Sequence, residues 1–199
     1  IVPRFIECHR LAPFSFRSTD IGVVHDLMIH DLDLVLDLVG SPVRSFDAVG
    51  GAILTEHEDM ANVRLIFENG ARAAVTASRA SLAPTRRFRM FSSTAYVSLD
   101  LHKNYGLVVK KGPRWIEGKF ALANLTPEEI AARTDLVSSG MLELAELDLA
   151  GHERPLQAEL DSFLDAVRTK RAPEVTGADG YRALELAERI AAEIRTQAW

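Results

Sequence analysis

Residues 24–39 form a mostly apolar segment that also carries two histidines and four aspartates. On a helix, at about 100° per residue, four of these titratable residues fall on one narrow stripe. The stripe consists of Asp26, His30, Asp33 and Asp37. His25 and Asp31 lie outside it, at the edges of the apolar arc. An imidazole that titrates near neutral pH, with a carboxylate one helical turn away to fix its tautomer, has the chemistry needed to move a proton.

Two other interpretations of this stripe stay open. It could be the solvated face of an amphipathic helix, although such faces usually mix charges and this one has no Lys or Arg. It could instead bind a divalent metal, because Asp26, His30 and Asp33 offer oxygen and nitrogen ligands. The sequence nominates no fourth ligand, and with one cysteine in the chain a cysteine-based zinc site is excluded.

Local patterns predict the elements that position the stripe. The apolar run predicts a helix over 23–39 that ends at Gly40, a residue suited to a C-terminal cap. Asn69-Gly70 between two alternating segments predicts a hairpin with a type I′ turn. Other alternating segments predict strands at 3–11, 43–51, on both sides of 92–94, at 106–111 and at 141–150. Further helices are expected at 126–133, 155–170 and 180–194.

This order of elements predicts an α+β fold with one large, mostly antiparallel, open β-sheet. Consecutive strands with short turns favour antiparallel pairing, and helices gathered near the two ends of the chain favour packing on one face. Apolar residues on both phases of the strands indicate that the other face is available for oligomerisation. The residues that suggest this are Phe46, Ala48, Ile53, Val63 and Phe67.

Composition narrows the class of protein. The 199 residues are 47% hydrophobic and 26% charged, with a net charge of −5 and no basic run, which argues against a nucleic-acid partner. The helix over 23–39 is interrupted by aspartates and is a poor membrane span. The lone Cys8 cannot form an internal disulfide, so a cytoplasmic location is expected. No glycine-rich dinucleotide or phosphate loop is present, so the chain itself should bind neither NAD nor NADP.

The segment DLMIHDLDLVLDLVG at 26–40 resembles the first helix of the substrate domain in the Gfo/Idh/MocA oxidoreductase family. That family carries a D-x-x-x-H pair, often with a further Asp three residues on, and Asp26, His30 and Asp33 match it. The strand FIECHRL ends in a His-Arg pair, His9 and Arg10, like that of inositol-dehydrogenase-like members. The hairpin at 64–79 and the final helix, with the residues that precede it from Glu174, complete a resemblance that covers essentially the whole chain.

The resemblance implies that residues 1–199 are a single C-terminal domain for substrate binding and oligomerisation, expected here as a fragment. The parent would oxidise or reduce a CH–OH group of a sugar, cyclitol or related polyol with NAD or NADP, held by an N-terminal Rossmann domain absent from this chain. His30 and Asp26 would be catalytic, and His9, Arg10 and Asp33 would bind substrate. A homodimer or homotetramer would form through the sheet. A non-catalytic binding or dimerisation module with this fold is the alternative.

Two further sets of residues have open interpretations. His9 could donate a hydrogen bond to a substrate hydroxyl or be a cross-strand histidine on the surface. Four arginines near one hairpin end could clamp an anionic group or form the polar face of a strand. They are Arg79, Arg86, Arg87 and Arg89. His57 and the acidic residues around it, including Asp59, are expected in a solvated loop.

Overall fold

The computed structural model describes residues 1–116, 140–149 and 155–197. In these ranges the chain forms one eight-stranded sheet with strand order β2-β3-β4-β1-β5-β6-β7-β8. The strands are β1 Phe5–Leu11, β2 Val43–Gly51, β3 Met60–Phe67, β4 Arg72–Ser78, β5 Thr85–Phe91, β6 Ala95–Asp100, β7 Tyr105–Lys111 and β8 Leu142–Asp148. The α+β prediction with a large, mostly antiparallel sheet is confirmed.

The described helices lie between β1 and β2, between β7 and β8, and after β8. A π-helical turn, Val24–Met28, leads directly into α1, Ile29–Val39. The others are α2 Pro113–Ile116, α3 Pro155–Thr169 and α4 Gly177–Arg195. The helix predicted at 126–133 lies outside the described residues. Within the described ranges, no helix combines the length and apolar character needed to cross a bilayer.

Strand β1 is the one exception to antiparallel pairing in this sheet. It lies between β4 and β5, parallel to β4 and antiparallel to β5. The local patterns could not predict this position, because they relate neighbours in sequence whereas β1 pairs with strands far along the chain. The insertion places the end of β1 beside the start of β5 and against α1.

The core lies between β1–β5 and the pair of helices α1 and α4. Alternate strand residues point into it, as the two-residue period of a strand requires. In β1 these are Ile6 and Cys8, which are fully buried. Their counterparts in β3 and β4 include Val63, Leu65, Ala73 and Val75. Side chains of the opposite phase lie on the other face, called here the open face.

The expectation that Phe46, Ala48, Ile53, Val63 and Phe67 mark a face for oligomerisation is wrong, because most of these residues lie on the helix-covered face. Ala48 pairs with Val63 and is 2% exposed, and Val63 and Phe67 are fully buried in the core. Ile53 lies beyond the end of β2 and is exposed. The open face has its own apolar patch, which lies on strands β1 and β5–β8. This patch consists of Phe5, Phe91, Tyr96, Leu107, Val109 and Leu144.

Element ends follow local signals, with two corrections. Gly40 caps α1 at φ +59°, and its N–H donates to the carbonyl of Leu36, as predicted. The hairpin turn is not type I′, because only Gly70 has a positive φ. Its N–H donates to Phe67 O, as in a type I turn closed by a left-handed glycine. Helix α4 begins earlier than expected, because a capping box at Thr176 and Asp179 starts it.

Candidate functional site

The loop that leads into the π-helical turn is fixed by an acidic residue from the β2–β3 connection. The backbone N–H of Val23 donates to the carbonyl of Glu58 (2.9 Å), and that of Val24 donates to its Oε1 (3.3 Å). The carboxylate lies directly over Gly22, where an added Cβ would stand 1.9 Å from Oε1. The start of the helix is therefore held in place, and its first donors are already satisfied.

Asp26 and His30 lie on either side of the change from π to α geometry. A π turn adds a residue to each turn, so Asp26 is rotated away from the position that an ideal α-helical wheel gives it. Asp26 is half-buried and His30 is exposed. Among the described residues neither side chain forms a hydrogen bond or an ion pair, so the carboxylate does not orient the imidazole in this structure.

Asp33 lies further along α1, where the helix faces the start of α4. Burial raises the pKa of its carboxyl, and the nearby charges of Asp179 and Asp37 raise it further. His30 and Arg182 act in the opposite direction. The surroundings that raise the pKa of Asp33 therefore include the start of α4. The role of Asp33 in binding substrate stays a prediction.

Arg10 and Asp31 form the buried ion pair of this region. Nε of Arg10 donates to Oδ2 of Asp31 at 2.8 Å, and Nη2 donates to Oδ1 at 2.7 Å. Asp31 is 5% exposed and joins α1 to β1. Sequence reasoning placed Asp31 at the edge of the apolar arc and missed this partner. Cys8, buried beside the pair, has its thiol pKa raised by burial and by the charge of Asp31.

His9 lies on the open face, because it has the opposite phase from Cys8 and Arg10 in β1. Its Nε2 is 3.8 Å from the carboxylate of Glu7, which also pairs with Arg89 at 3.1 Å. The structure therefore does not bring His9 to the face that carries Asp26, His30 and Arg10. Its predicted contact with substrate is not supported by this arrangement and stays untested.

The four arginines expected near one hairpin end do not form a cluster. Arg79 is 4% exposed, and its Nε lies 3.0 Å from the fully buried carboxylate of Asp59, which corrects the expectation of a solvated loop. Arg79 also donates to the carbonyls of Ser18 and Ile21. Arg87 pairs with Asp100 and Arg89 with Glu7 on the open face. Arg86 faces the helices, across from Arg10.

Neither the titratable stripe nor the starts of α1 and α4 offer a ready site for a metal ion or a pyrophosphate. No group of three or more His, Cys, Asp or Glu side chains in these ranges is arranged to hold a metal ion, so Asp26, His30 and Asp33 are not a ligand set. The starts of the helices α1 and α4 do not fit a pyrophosphate. The donors at Val23 and Val24 are used by Glu58, and the start of α4 is closed by its capping box.

Comparisons with known proteins agree with this architecture. The GFO/IDH/MocA C-terminal domain matches residues 7–98. UDP-N-acetylglucosamine 3-dehydrogenase of Acidithiobacillus ferrooxidans is 36% identical over 188 residues, which are 94% of this chain and 53% of that protein. A solved structure of that dehydrogenase has a TM-score of 0.79 at 34% identity and covers 98% of this chain and 56% of its own.

A more distant structure shares the fold. Levoglucosan dehydrogenase in complex with NADH and L-sorbose has a TM-score of 0.73 at 14% identity, and the match covers 100% of this chain and 58% of that one. The chain therefore spans about half the length of the relatives that it matches.

Proposed function

Because the chain belongs to the Gfo/Idh/MocA family, matching its C-terminal domain, we propose that it is the substrate-binding and proton-transfer half of an NAD(P)-dependent oxidoreductase. The parent would act on a CH–OH group of a sugar, cyclitol or related polyol. The observation that supports this most directly is the pair Asp26 and His30. Both lie at the start of the same helix, and neither uses its polar atoms on another described residue.

The proposed chemistry assigns one task to each side chain. Oxidation of a secondary alcohol requires a group that removes the hydroxyl proton, and the exposed imidazole of His30 is assigned this step because histidine commonly acts as a general base. The half-buried carboxylate of Asp26 accepts a hydrogen bond from the substrate and stabilises a cationic imidazole. NAD or NADP, held by the part of the parent outside this chain, would exchange the hydride.

The proposal is tested in the complete protein by replacing residues of the stripe one at a time. We expect His30→Ala to lower kcat by about 10²- to 10⁴-fold, since general acid–base groups contribute on that order. Asp26→Asn should lose a comparable or somewhat smaller factor. Asp37→Ala is the matched control, because it lies on the same helix, is exposed, and is two turns beyond His30.

Steady-state rates are measured together with thermal melts of each variant. If His30→Ala stays folded and keeps more than about half of the wild-type rate, the stripe is a solvated face and the assignment fails. If Asp37→Ala loses as much as His30→Ala, the effect is structural.

The same proposal names the partners of the chain. Helix α3 exposes an apolar face of five residues: Leu156, Leu160, Phe163, Leu164 and Val167. We propose that the Rossmann half of the parent covers this face, because a helix stabilises itself by packing such a stripe. The apolar patch of the open face would join two or more copies as a homodimer or homotetramer. The lone, buried Cys8 favours a reducing compartment such as the cytoplasm.

The alternative is a non-catalytic binding or dimerisation module with the same fold. It would keep the open-face patch and the apolar face of α3 but would not need the pair at the start of α1. The His30→Ala measurement separates the two proposals. If the chain is only a binding or dimerisation module, the turnover of the complete protein does not depend on His30.

A further inference from the structure

Arg86 differs from the other three arginines of its region. Among the described residues, three buried side-chain nitrogens have no hydrogen-bond partner: Nε2 of His25 and Nε of Arg79 and Arg86. His25 lies 3.2 Å from a carboxylate oxygen of Glu188, and Arg79 lies 3.0 Å from Asp59. No carboxylate of the described residues lies within ion-pair distance of Arg86. Its charge is therefore the one in this set without a direct counter-ion.

A second guanidinium stands beside it. Arg86 pairs with Arg10 across β1 and β5, so both side chains project from the same face of the sheet. In the part of the chain that the structure describes, Asp31 is the one carboxylate that pairs with either arginine, and both of its oxygens accept hydrogen bonds from Arg10. Two cations thus share one anion, which leaves about one positive charge in excess.

The excess charge is in an unfavourable position without a ligand. Burial lowers the pKa of Arg86, and the charge of Arg10 lowers it further, while Asp31 compensates in part. Like charges opposite each other in a sheet destabilise it, and a partly buried cation without a partner loses hydration. An oxyanion would restore the balance, and a planar guanidinium binds phosphate and carboxylate groups through two parallel hydrogen bonds.

The location connects this charge to the proposed chemistry. Asp31, which holds Arg10, directly follows His30 in α1, so the two arginines lie where the sheet meets the helix that carries His30. We propose that Arg86, supported by Arg10, is a subsite for the anionic group of a charged sugar, either a phosphate or a carboxylate. This inference rests on the proposed function, because it names the class of substrate that this function would use.

The test compares two neighbouring arginines in the complete protein with its nicotinamide cofactor at saturation. Arg87→Gln is the matched control, because Arg87 lies in the same strand, points to the open face, and pairs with Asp100. The substrates are a neutral hexose, a hexuronic acid and a nucleoside diphosphate hexose. We expect Arg86→Gln to raise KM by about 10- to 100-fold for a charged sugar, the usual effect of losing a charged hydrogen bond, and by less than about twofold for the neutral one.

Arg87→Gln should leave all three KM values within about twofold of wild type. A rise with the diphosphate sugar alone identifies a phosphate group, and a rise with the hexuronic acid alone identifies a carboxylate. Equal losses on neutral and charged sugars, or equal effects of Arg86→Gln and Arg87→Gln, would overturn the proposal.

A binding measurement tests the subsite without turnover. Inorganic pyrophosphate is titrated into the cofactor-saturated protein by calorimetry, and Arg86→Gln should weaken its binding at least about tenfold whereas Arg87→Gln should not. Arg86→Gln should also melt at or above the wild-type temperature, because it removes an uncompensated charge. A clear fall in Tm would show a structural role and refute the subsite. A protein that binds pyrophosphate through Arg86 but turns over no sugar would refute the proposed function alone.

Discussion

Asp59 is the residue on which the loops around the candidate site depend. Its fully buried carboxylate accepts the backbone N–H groups of Ile53, Leu54 and Thr55 and faces Arg79. Arg79 in turn donates to carbonyls of the 12–23 loop. These contacts join three loops that precede or flank the π-helical turn, so the position of Asp26 depends on an ion pair that is itself remote from the proposed chemistry.

We expect Asp59→Asn to lower the free energy of unfolding by about 3–5 kcal/mol, because it leaves the buried Arg79 without its counter-ion. Asp165→Asn is the control, since the Asp165–Arg171 pair is exposed and its loss should cost less than about 1 kcal/mol. Both values come from urea unfolding at pH 7. Equal costs for the two variants would contradict a structural role for the buried pair.

The same variant carries a prediction about pH. Burial alone would raise the pKa of Asp59, but the N–H groups of Leu54, Ile53 and Thr55 and the Thr55 hydroxyl stabilise the carboxylate, so its pKa lies below the usual range. A lowered pKa means that the stabilisation is fully present above the unfolded value of about 3.9 and is lost as the pH falls through the folded pKa. The difference between wild type and Asp59→Asn should therefore shrink in unfolding measured at strongly acidic pH.

At the scale of elements, the helix cap at Gly40 and the strands themselves could be predicted because their signals are local. The contacts that shape the site could not. Arg10 and Asp31 are distant in sequence, and only the insertion of β1 brings them together. Asp59 follows four polar residues, 55–58, so its local sequence resembles a solvated loop, although the carboxylate is buried. The π turn also has no pattern in the apolar residues that a wheel could detect.

Helix α3 provides a test of the proposed contact with the Rossmann half. Phe163 is 56% exposed in this chain, so Phe163→Ser should change the stability of the 199-residue chain by less than about 0.5 kcal/mol. In the complete protein the same change should cost about 3–5 kcal/mol if the ring is buried against the other half. Thermal and urea melts of both forms give the comparison.

The exposed Asp161 on the same helix supplies the control, because Asp161→Ala should have a small effect in both forms. If Phe163→Ser costs the complete protein no more than it costs the shorter chain, the apolar face of α3 is not covered by the Rossmann half.

For the whole molecule, the open-face patch predicts the state of association. Phe91 lies between Phe5 and Tyr96, with ring centroids 5.8 and 4.8 Å away, and remains 38% exposed. A contiguous apolar patch of this kind favours contact with another copy. We expect the complete protein to sediment as a dimer or tetramer and Phe91→Asp to shift it towards monomers.

Leu82→Asp is the control for this experiment, because Leu82 is a fully exposed apolar residue in the loop before β5. It should leave the sedimentation coefficient unchanged. A wild-type protein that sediments as a monomer at high concentration, or a Leu82→Asp variant that dissociates as Phe91→Asp does, would refute association through the open face.

The central position of β1 has a consequence for how the chain reaches its native state. Strand β1 is synthesised before the other strands of this sheet and needs partners from residues 72–91, so the middle of the sheet closes only after most of these strands exist. Such long-range pairing slows folding and leaves the edges of β4 and β5 open to other chains in the meantime. Aggregation of newly made protein is thus governed by the centre of this sheet, where the finished molecule has no edge at all.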